Sequence, residues 1–395
     1  MSLDIEKLYQ QVSHFASTLK GEAQDYQQKL SQALKLYNQA NWPALRHKIE
    51  AAKTSWLIAQ PIEDGIFTLP PAPKDYTVLA TDGSHIETDR HQSISLALIN
   101  IGRVLISYGQ KPGATLESVP ELFKKDQLII HGEGQEQIIE GTLLGIKRTI
   151  AECSHLADMA RNAPDDRPIL ALLDGSLILW GLVSMGYPDF VIREMLDNGF
   201  LRQLDSLEEI SRAKRLALAS YISMPGSTEV TNILRVALCP YDIPDCDHYC
   251  SRILSGQRPC DEVNGLLDRQ LFLGLLAPGQ RSPIFQSASS IVKKYYGHHR
   301  VNFFYLRLED EIGRVEMPEW TAVNSNLLEL TSSALYDQCL RGMGYPVALS
   351  EAHEKAVLGA EERREFESVL EYALEEEGIP ILISAKKKSK IRRWI

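Results

Sequence analysis

The tripeptide Asp-Gly-Ser occurs twice in this chain, each time behind an apolar run. Val78-Leu79-Ala80-Thr81 leads into Asp82-Gly83-Ser84, and Ile169-Leu170-Ala171-Leu172-Leu173 leads into Asp174-Gly175-Ser176. An apolar run of this length stopped by glycine reads as a buried strand. An aspartate at the C-terminal tip of such a strand sits where open α/β sheets place their ligands. Asp-Gly is also the commonest tight-turn dipeptide, with Asp bonding nearby backbone and Gly supplying a positive φ. Two copies, both behind buried-type strands, favour two strand ends that each deliver a carboxylate, an arrangement able to hold a divalent cation.

With 395 residues, 44% hydrophobic and 24% charged, the chain is long enough for one large domain or two ordinary ones. No apolar stretch is long enough to span a bilayer, and the Met1–Lys7 segment lacks a signal pattern, so a cytoplasmic location is expected. The formal net charge of −10 argues against a protein that coats nucleic acid non-specifically, since that affinity comes mainly from Lys and Arg. It does not exclude a nuclease, because a cation-binding enzyme must concentrate carboxylates and a local basic groove can coexist with an acidic total.

Residues 1–60 read as a helical N-terminal region, with Leu8, Val12, Phe15, Leu19, Leu30, Leu34 and Tyr37 at helical spacing. Residues 61–75, with Pro61, Pro70, Pro71 and Pro73, read as a linker. A strand into Asp82, a strand Ser93–Asn100, a turn at Gly102 and a strand Val104–Tyr108 then give three antiparallel strands. A helix over about 135–162 crosses to the second Asp-Gly-Ser strand, which is expected to run parallel to the first. Further on come a helical region about 195–220, a strand at 301–308, a helical zone from about 324 and a last strand Ile379–Ser384. Three antiparallel strands, a helix and a parallel strand is a ribonuclease-H-like order, which actin-type and sugar-kinase ATPases share. The expected fold is therefore α/β: a mixed sheet flanked by helices, with a helical N-terminal region and a Cys-containing insertion at about 239–260. A basic tail, 385–395, carries Lys386, Lys387, Lys388, Lys390, Arg392 and Arg393, which suits either a solvated face or a phosphate contact.

Taken together, the two Asp-Gly-Ser strands, the stretch Gly313-Arg314-Val315-Glu316-Met317-Pro318-Glu319-Trp320, and Gly344-Tyr345-Pro346-Val347-Ala348-Leu349 leading to Ala352-His353 resemble the NurA nuclease family over roughly 76–384. The resemblance implies a metal-dependent DNA nuclease with 5′ to 3′ exonuclease and single-strand endonuclease activity. Manganese, or magnesium, would activate the attacking water in DNA end resection. It also implies a homodimer working with a HerA-type hexameric ATPase. Position by position, Asp82 and Asp174 match the family's strand-end aspartates, His353 its late histidine and Tyr345 the tyrosine before it. An acidic residue on the helix ahead of the second aspartate is matched by Glu152, with Glu140 as the alternative. Asp82, Glu152 and Asp174 would give hard oxygen donors suited to Mn²⁺ or Mg²⁺, and His353 a further ligand or a proton donor. Arg314 and Glu316 are read as a cross-strand pair outside the site.

Four of the six cysteines, Cys239, Cys246, Cys250 and Cys260, fall within 22 residues, separated by six, three and nine others. In a reducing compartment such a group reads as metal ligands or free thiols before disulfides. The spacing lacks the paired C-x2-C knuckles of zinc ribbons, which leaves a structural metal, an iron–sulfur cluster, or incidental thiols. Two other functions fit parts of the chain. One is a scaffold that binds DNA or an ATPase without cutting, the other an actin-like or sugar-kinase-like ATPase. The discriminator is whether a third carboxylate approaches Asp82 and Asp174.

Overall fold

The first Asp-Gly-Ser does not end its strand. The computed structural model describes residues 4–87, 96–254 and 256–379, and in it β1 (Tyr76–Glu87) runs straight through Asp82, Gly83 and Ser84. The second copy behaves as the turn chemistry predicts: β4 (Ile169–Asp174) stops at the aspartate, and Gly175 follows with φ +80°.

The described residues form two units. One comprises Pro70–Ile222, Ile291–Val301 and Glu316 onward. Its sheet has β1, β2 (Leu96–Tyr108), β3 (Gly113–Lys124), β4 and β5 (Leu216–Ile222) in the order β3-β2-β1-β4-β5. The β1-β2 and β2-β3 pairs are antiparallel, and the β1-β4 and β4-β5 pairs are parallel. This is the mixed, helix-flanked, ribonuclease-H-like sheet that the order of elements implies. The crossover between β3 and β4 contains α1 (Thr142–Asn162). It buries Leu143, Leu144, Ile146, Cys153, Leu156 and Ala160 in one core with Leu79, Ile99, Ile101, Ala171 and Leu218. Two later helices, α2 (Ser325–Arg341) and α3 (Val347–Ala356), complete the described core of this unit.

Several sequence expectations shift. Gly102 is not a turn: β2 passes through it unbroken, opposite Asp82. A Cβ there would stand 2.0 Å from the Ala352 carbonyl oxygen, so Gly102 is the point at which α3 lies directly on the sheet. The third antiparallel strand is Gly113–Lys124, mostly exposed, whose apolar residues do not alternate and so hid it. Residues 135–138 pair with Ile129–Gly132 as a hairpin, and the crossover helix starts only after Gly141, at φ +53°. The expected helix at 195–220 ends at Ala213, and its apolar tail is strand β5; periodicity alone does not separate a short buried strand from a helix turn. Residues Ser93–Ser95, most of the last expected strand and the basic tail lie outside the described residues.

The other unit comprises Met1–Leu69, Ser223–Ser290 and Asn302–Val315. The expected N-terminal helices are there, Ile5–Gln39 and Trp42–Ala51, and short strands at Gln60–Pro61 and Phe67–Thr68 occupy the proline-rich stretch. Tyr37, Leu45 and Ile49 share a core with Leu234, Phe272, Phe285, Phe303 and Tyr305. A buried carboxylate, Asp268, is satisfied inside it by the Thr231 N–H at 2.7 Å, the Tyr305 hydroxyl at 2.7 Å and the Ser227 hydroxyl at 3.0 Å. Arg314 pairs with Glu229 there at 2.9 Å, not with Glu316.

Because no side chain fits between β2 and α3, Gly102→Ala should destabilise the protein by about 1–3 kcal/mol, the usual cost of overpacking. Chemical denaturation followed by far-UV circular dichroism measures it; wild-type stability in the variant would show that α3 does not need this close approach.

Candidate metal centre

The parallel register of β1 and β4 pairs Thr81 with Leu173, so Asp82 and Asp174 follow side by side, and in neighbouring strands in register such positions share a face. Each carboxylate is steadied by the next residue's backbone. The Gly83 N–H donates to Asp82 Oδ1 at 2.8 Å, and the Gly175 N–H to Asp174 Oδ1 at 3.0 Å. The turn beyond Asp174 is pinned by Glu316. This buried carboxylate accepts from the Ser176 hydroxyl at 2.8 Å and the Leu177 N–H at 2.9 Å. Sequence reading set Glu316 aside, yet it anchors the second Asp-Gly-Ser.

Glu152 comes from α1. It lies four residues before Leu156 and seven before Met159, both buried, so it belongs to the helix's apolar stripe and is itself only 5% exposed. That placement was the signal that it was not a solvated surface glutamate. Two details of β1 bring it close. The Thr81 hydroxyl donates to the Glu152 carbonyl at 3.0 Å. At Gly83 a Cβ would stand 2.6 Å from Glu152 Oε1 and 2.8 Å from Arg148 Cγ, so only glycine admits both side chains. Glu140, the alternative, precedes the helix and is not on it.

Glu152 Oε1 is buried without an aligned hydrogen bond, although Arg148 Nε faces it at 3.0 Å. Burial pushes the Glu152 carboxyl up to about 8; Arg148 opposes this, and the charges of Asp82 and Asp174 add to it. Asp174 is also pushed up, chiefly by its burial among these groups, with Asp82 adding to it and the Tyr345 hydroxyl opposing it. A buried carboxylate oxygen with no aligned donor, beside two further carboxylates, has the donor set of a hard divalent cation.

The last two candidates come from the segment after α2. Tyr345, in the loop before α3, donates its hydroxyl to Asp174 Oδ1 at 2.8 Å and packs edge-on against Tyr221, the β5 residue paired with Asp174. Burial and the Asp174 charge hold its phenol well above the usual range, so it stays protonated. His353 on α3 places Nδ1 2.8 Å from Asp82 Oδ2. A carboxylate only accepts, so Nδ1 is the donor and Nε2 is the ring nitrogen not used in this contact. The helix is held at its end by the Ser84 hydroxyl, which donates to the Ala356 carbonyl at 2.5 Å, and by Asn100, which donates to the same oxygen at 2.9 Å. Thus all five candidates, Asp82, Glu152, Asp174, Tyr345 and His353, meet in one unit. Cys239, Cys246, Cys250 and Cys260 belong to the other.

Sequence reading missed a second His and carboxylate group in the same unit. Asp205, Glu208, His298 and His299 bring ligand atoms within 4.8 Å of one another, which makes them a candidate divalent-cation site. Asp205 and Glu208 are one turn apart on the helix Arg202–Ala213; an i, i+3 acidic pair and an adjacent His pair some ninety residues later were the available signal. His299 is buried, which lowers its pKa, and its Nε2 lies 2.8 Å from Asp205. Trp320 donates to its Nδ1 at 3.3 Å, and that donor selects the Nε2–H tautomer of a neutral ring, so a cation at Nε2 has to displace that proton.

The carboxylate site predicts a pH dependence. The folded pKa of Glu152 lies above its ordinary value of 4.5, so the folded chain holds a proton that the unfolded chain has lost. This contribution to the stability of the metal-free protein is complete below pH 4.5 and is lost as pH rises toward about 8. In EDTA, Glu152→Gln should be relatively more stable than wild type at pH 8 than at pH 5, by denaturant titration at each pH. Parallel curves would mean that Glu152 ionises normally.

The NurA domain model matches residues 76–358, which include every residue of the carboxylate site. No curated protein matches the sequence. Among solved structures, prototype foamy virus protease-reverse transcriptase is similar at 15% identity over 39% of this chain and 19% of its own, with a TM-score of 0.21. Aquifex aeolicus Argonaute matches at 11% identity over 73% and 29%, with a TM-score of 0.24. Drosophila Piwi matches at 11% identity over 80% and 32%, with a TM-score of 0.27. The chain spans less than a third of the length of each of these, and the scores carry no argument about function. With the family model covering most of the chain, and with a ribonuclease-H-like sheet beneath the site, the chain belongs to the NurA domain family.

Proposed function

We propose that this chain is a DNA nuclease whose centre is Asp82, Glu152, Asp174, Tyr345 and His353. The observation that carries the reading is the approach of a buried, hydrogen-bond-poor Glu152 to Asp82 and Asp174 within the matched segment. It is the third carboxylate on which the scaffold reading turned, and it favours catalysis. Asp82, Glu152 and Asp174 would hold the cation through oxygen, which suits Mn²⁺ or Mg²⁺, and His353 Nε2 is available as a nitrogen ligand. When bound, such an ion supplies a nucleophile at neutral pH and neutralises charge on the phosphodiester.

The chain's own groups do the rest. Tyr345 keeps its proton and, through Asp174, fixes one carboxylate oxygen, leaving the other to face the reacting centre. His353 orients Asp82 through Nδ1–H and presents Nε2, where a proton can be held or passed to the leaving 3′ oxygen. Arg148 shares the buried site with Glu152 and offsets part of its charge before substrate arrives. Water attacks the phosphodiester directly, with no covalent enzyme intermediate. Family membership supports the finer expectations: 5′ to 3′ exonuclease and single-strand endonuclease action in end resection, a homodimer, and a HerA-type ATPase as partner. Among the described residues no helix is long and apolar enough to cross a membrane.

Cleavage of end-labelled linear duplex and single-stranded DNA with Mn²⁺, Mg²⁺ or EDTA tests the reading. Activity should require the cation and fall to background in Asp82→Asn and Asp174→Asn. In Tyr345→Phe and His353→Gln, which remove groups that orient the carboxylates, it should drop about 10- to 100-fold. Full activity in Asp82→Asn would overturn the assignment, as would unchanged cleavage in Asp205→Asn and Asp82→Asn alike. Loss in Asp205→Asn alone would move the centre to the His298–His299 group.

A further inference from the structure

The clustered cysteines, dispersed in sequence, line one cavity in the unit that does not hold the carboxylate site. Cys239 follows the helix Thr231–Leu238, Cys246 and Cys250 bracket the short helix Cys246–Tyr249, and Cys260 lies in the turn Pro259–Val263. All four line the same pocket, with Trp56 and Arg235 on its wall. All are free thiols and partly buried.

The surroundings are built rather than incidental. The loop is tied to the N-terminal segment: Lys53 N–H donates to the Pro244 carbonyl at 2.7 Å and Cys246 N–H to the Lys53 carbonyl at 3.1 Å. Lys48 Nζ donates to the Cys239 carbonyl at 2.5 Å. Asp245 caps the short helix by accepting from the His248 N–H at 2.9 Å. Burial pushes the Cys246 and Cys250 thiols up, and the other sulfurs of the group add to it, so these side chains face one another. Arg235 and Arg258 oppose the shift, supplying the positive charge that a set of thiolates needs. Arg235 is itself held over the Trp56 ring, 4.3 Å from its centroid.

The spacing along the chain bears on the ligand: the six, three and nine residues between these cysteines lack the paired C-x2-C knuckles of structural zinc sites. Four thiolates around an inorganic core are the ligand set of a [4Fe–4S] cluster, whose ligand spacing along the chain varies between proteins. We propose that Cys239, Cys246, Cys250 and Cys260 ligate an iron–sulfur cluster that cross-links the 239–260 loop to itself. The four thiols lose their protons on ligation, and the cluster is assembled from two ferrous ions, two ferric ions and four sulfides, which balances at the dithionite-reducible oxidation state. This inference does not rest on the nuclease reading.

The test is to purify the full chain anaerobically, or reconstitute it with equal parts of ferrous and ferric iron and with sulfide, and assay iron, acid-labile sulfide and zinc. Roughly four irons and four sulfides per chain are expected, with broad visible absorption that bleaches on dithionite. Cys246→Ser and Cys250→Ser should lose at least half of the iron, whereas Cys339→Ala, a buried thiol of the other unit, should keep it. One zinc per chain without sulfide would overturn the cluster, as would a chain holding no metal after reconstitution or full iron retention in both serine variants. The wild-type stoichiometry decides the matter even if a variant fails to fold.

Discussion

Three carboxylates that converge in a partly buried space repel one another and lose hydration, and the fold around them answers that cost. Each carboxylate has an answering donor or cation. Asp82 takes His353 and the Gly83 N–H, Asp174 takes Tyr345 and the Gly175 N–H, and Glu152 has Arg148 beside it. The one left short is Glu152, whose raised pKa records the deficit. Removing water from like charges is favourable only with a compensating cation, so the same arrangement that burdens the metal-free protein favours ion binding.

Backbone geometry carries as much of this as side-chain chemistry. Two glycines in adjacent strands open the space: Gly83 admits Glu152 and Arg148, and Gly102 admits the helix that bears His353. Neither is there for a positive φ. Gly175 is, and it turns the chain toward the Ser176–Glu316 contact. The three positions show three demands for the absence of a side chain within one site.

Much of the centre was legible in the sequence because the apolar runs before Asp82 and Asp174 fix two neighbouring strands, and the parallel crossover follows from the intervening helix. Glu152 was named from the family resemblance, with Glu140 as the alternative; its place on the helix's apolar stripe was a signal that reading did not use. What was not legible had a physical reason. Gly102 carries the local signal of a turn, and only the distant Ala352 backbone explains it. The strand Gly113–Lys124 is largely exposed and its apolar residues, among them Leu116, Val119, Leu122 and Phe123, do not alternate, so it lacks the pattern that marks a half-buried strand. Glu316 acts through a contact with a residue 140 positions away, and Asp205, Glu208, His298 and His299 join over a similar kind of gap.

The interleaving of the two units has a practical meaning for anyone dissecting the molecule. The stretch matching the family begins at residue 76, yet the core holding Phe272, Phe285 and Tyr305 is completed by Tyr37, Leu45 and Ile49 from before that point. A segment cut at the homology boundary would carry the catalytic candidates intact and leave an aromatic core uncovered. The stretch shared with the family and the stretch that closes this core have different edges.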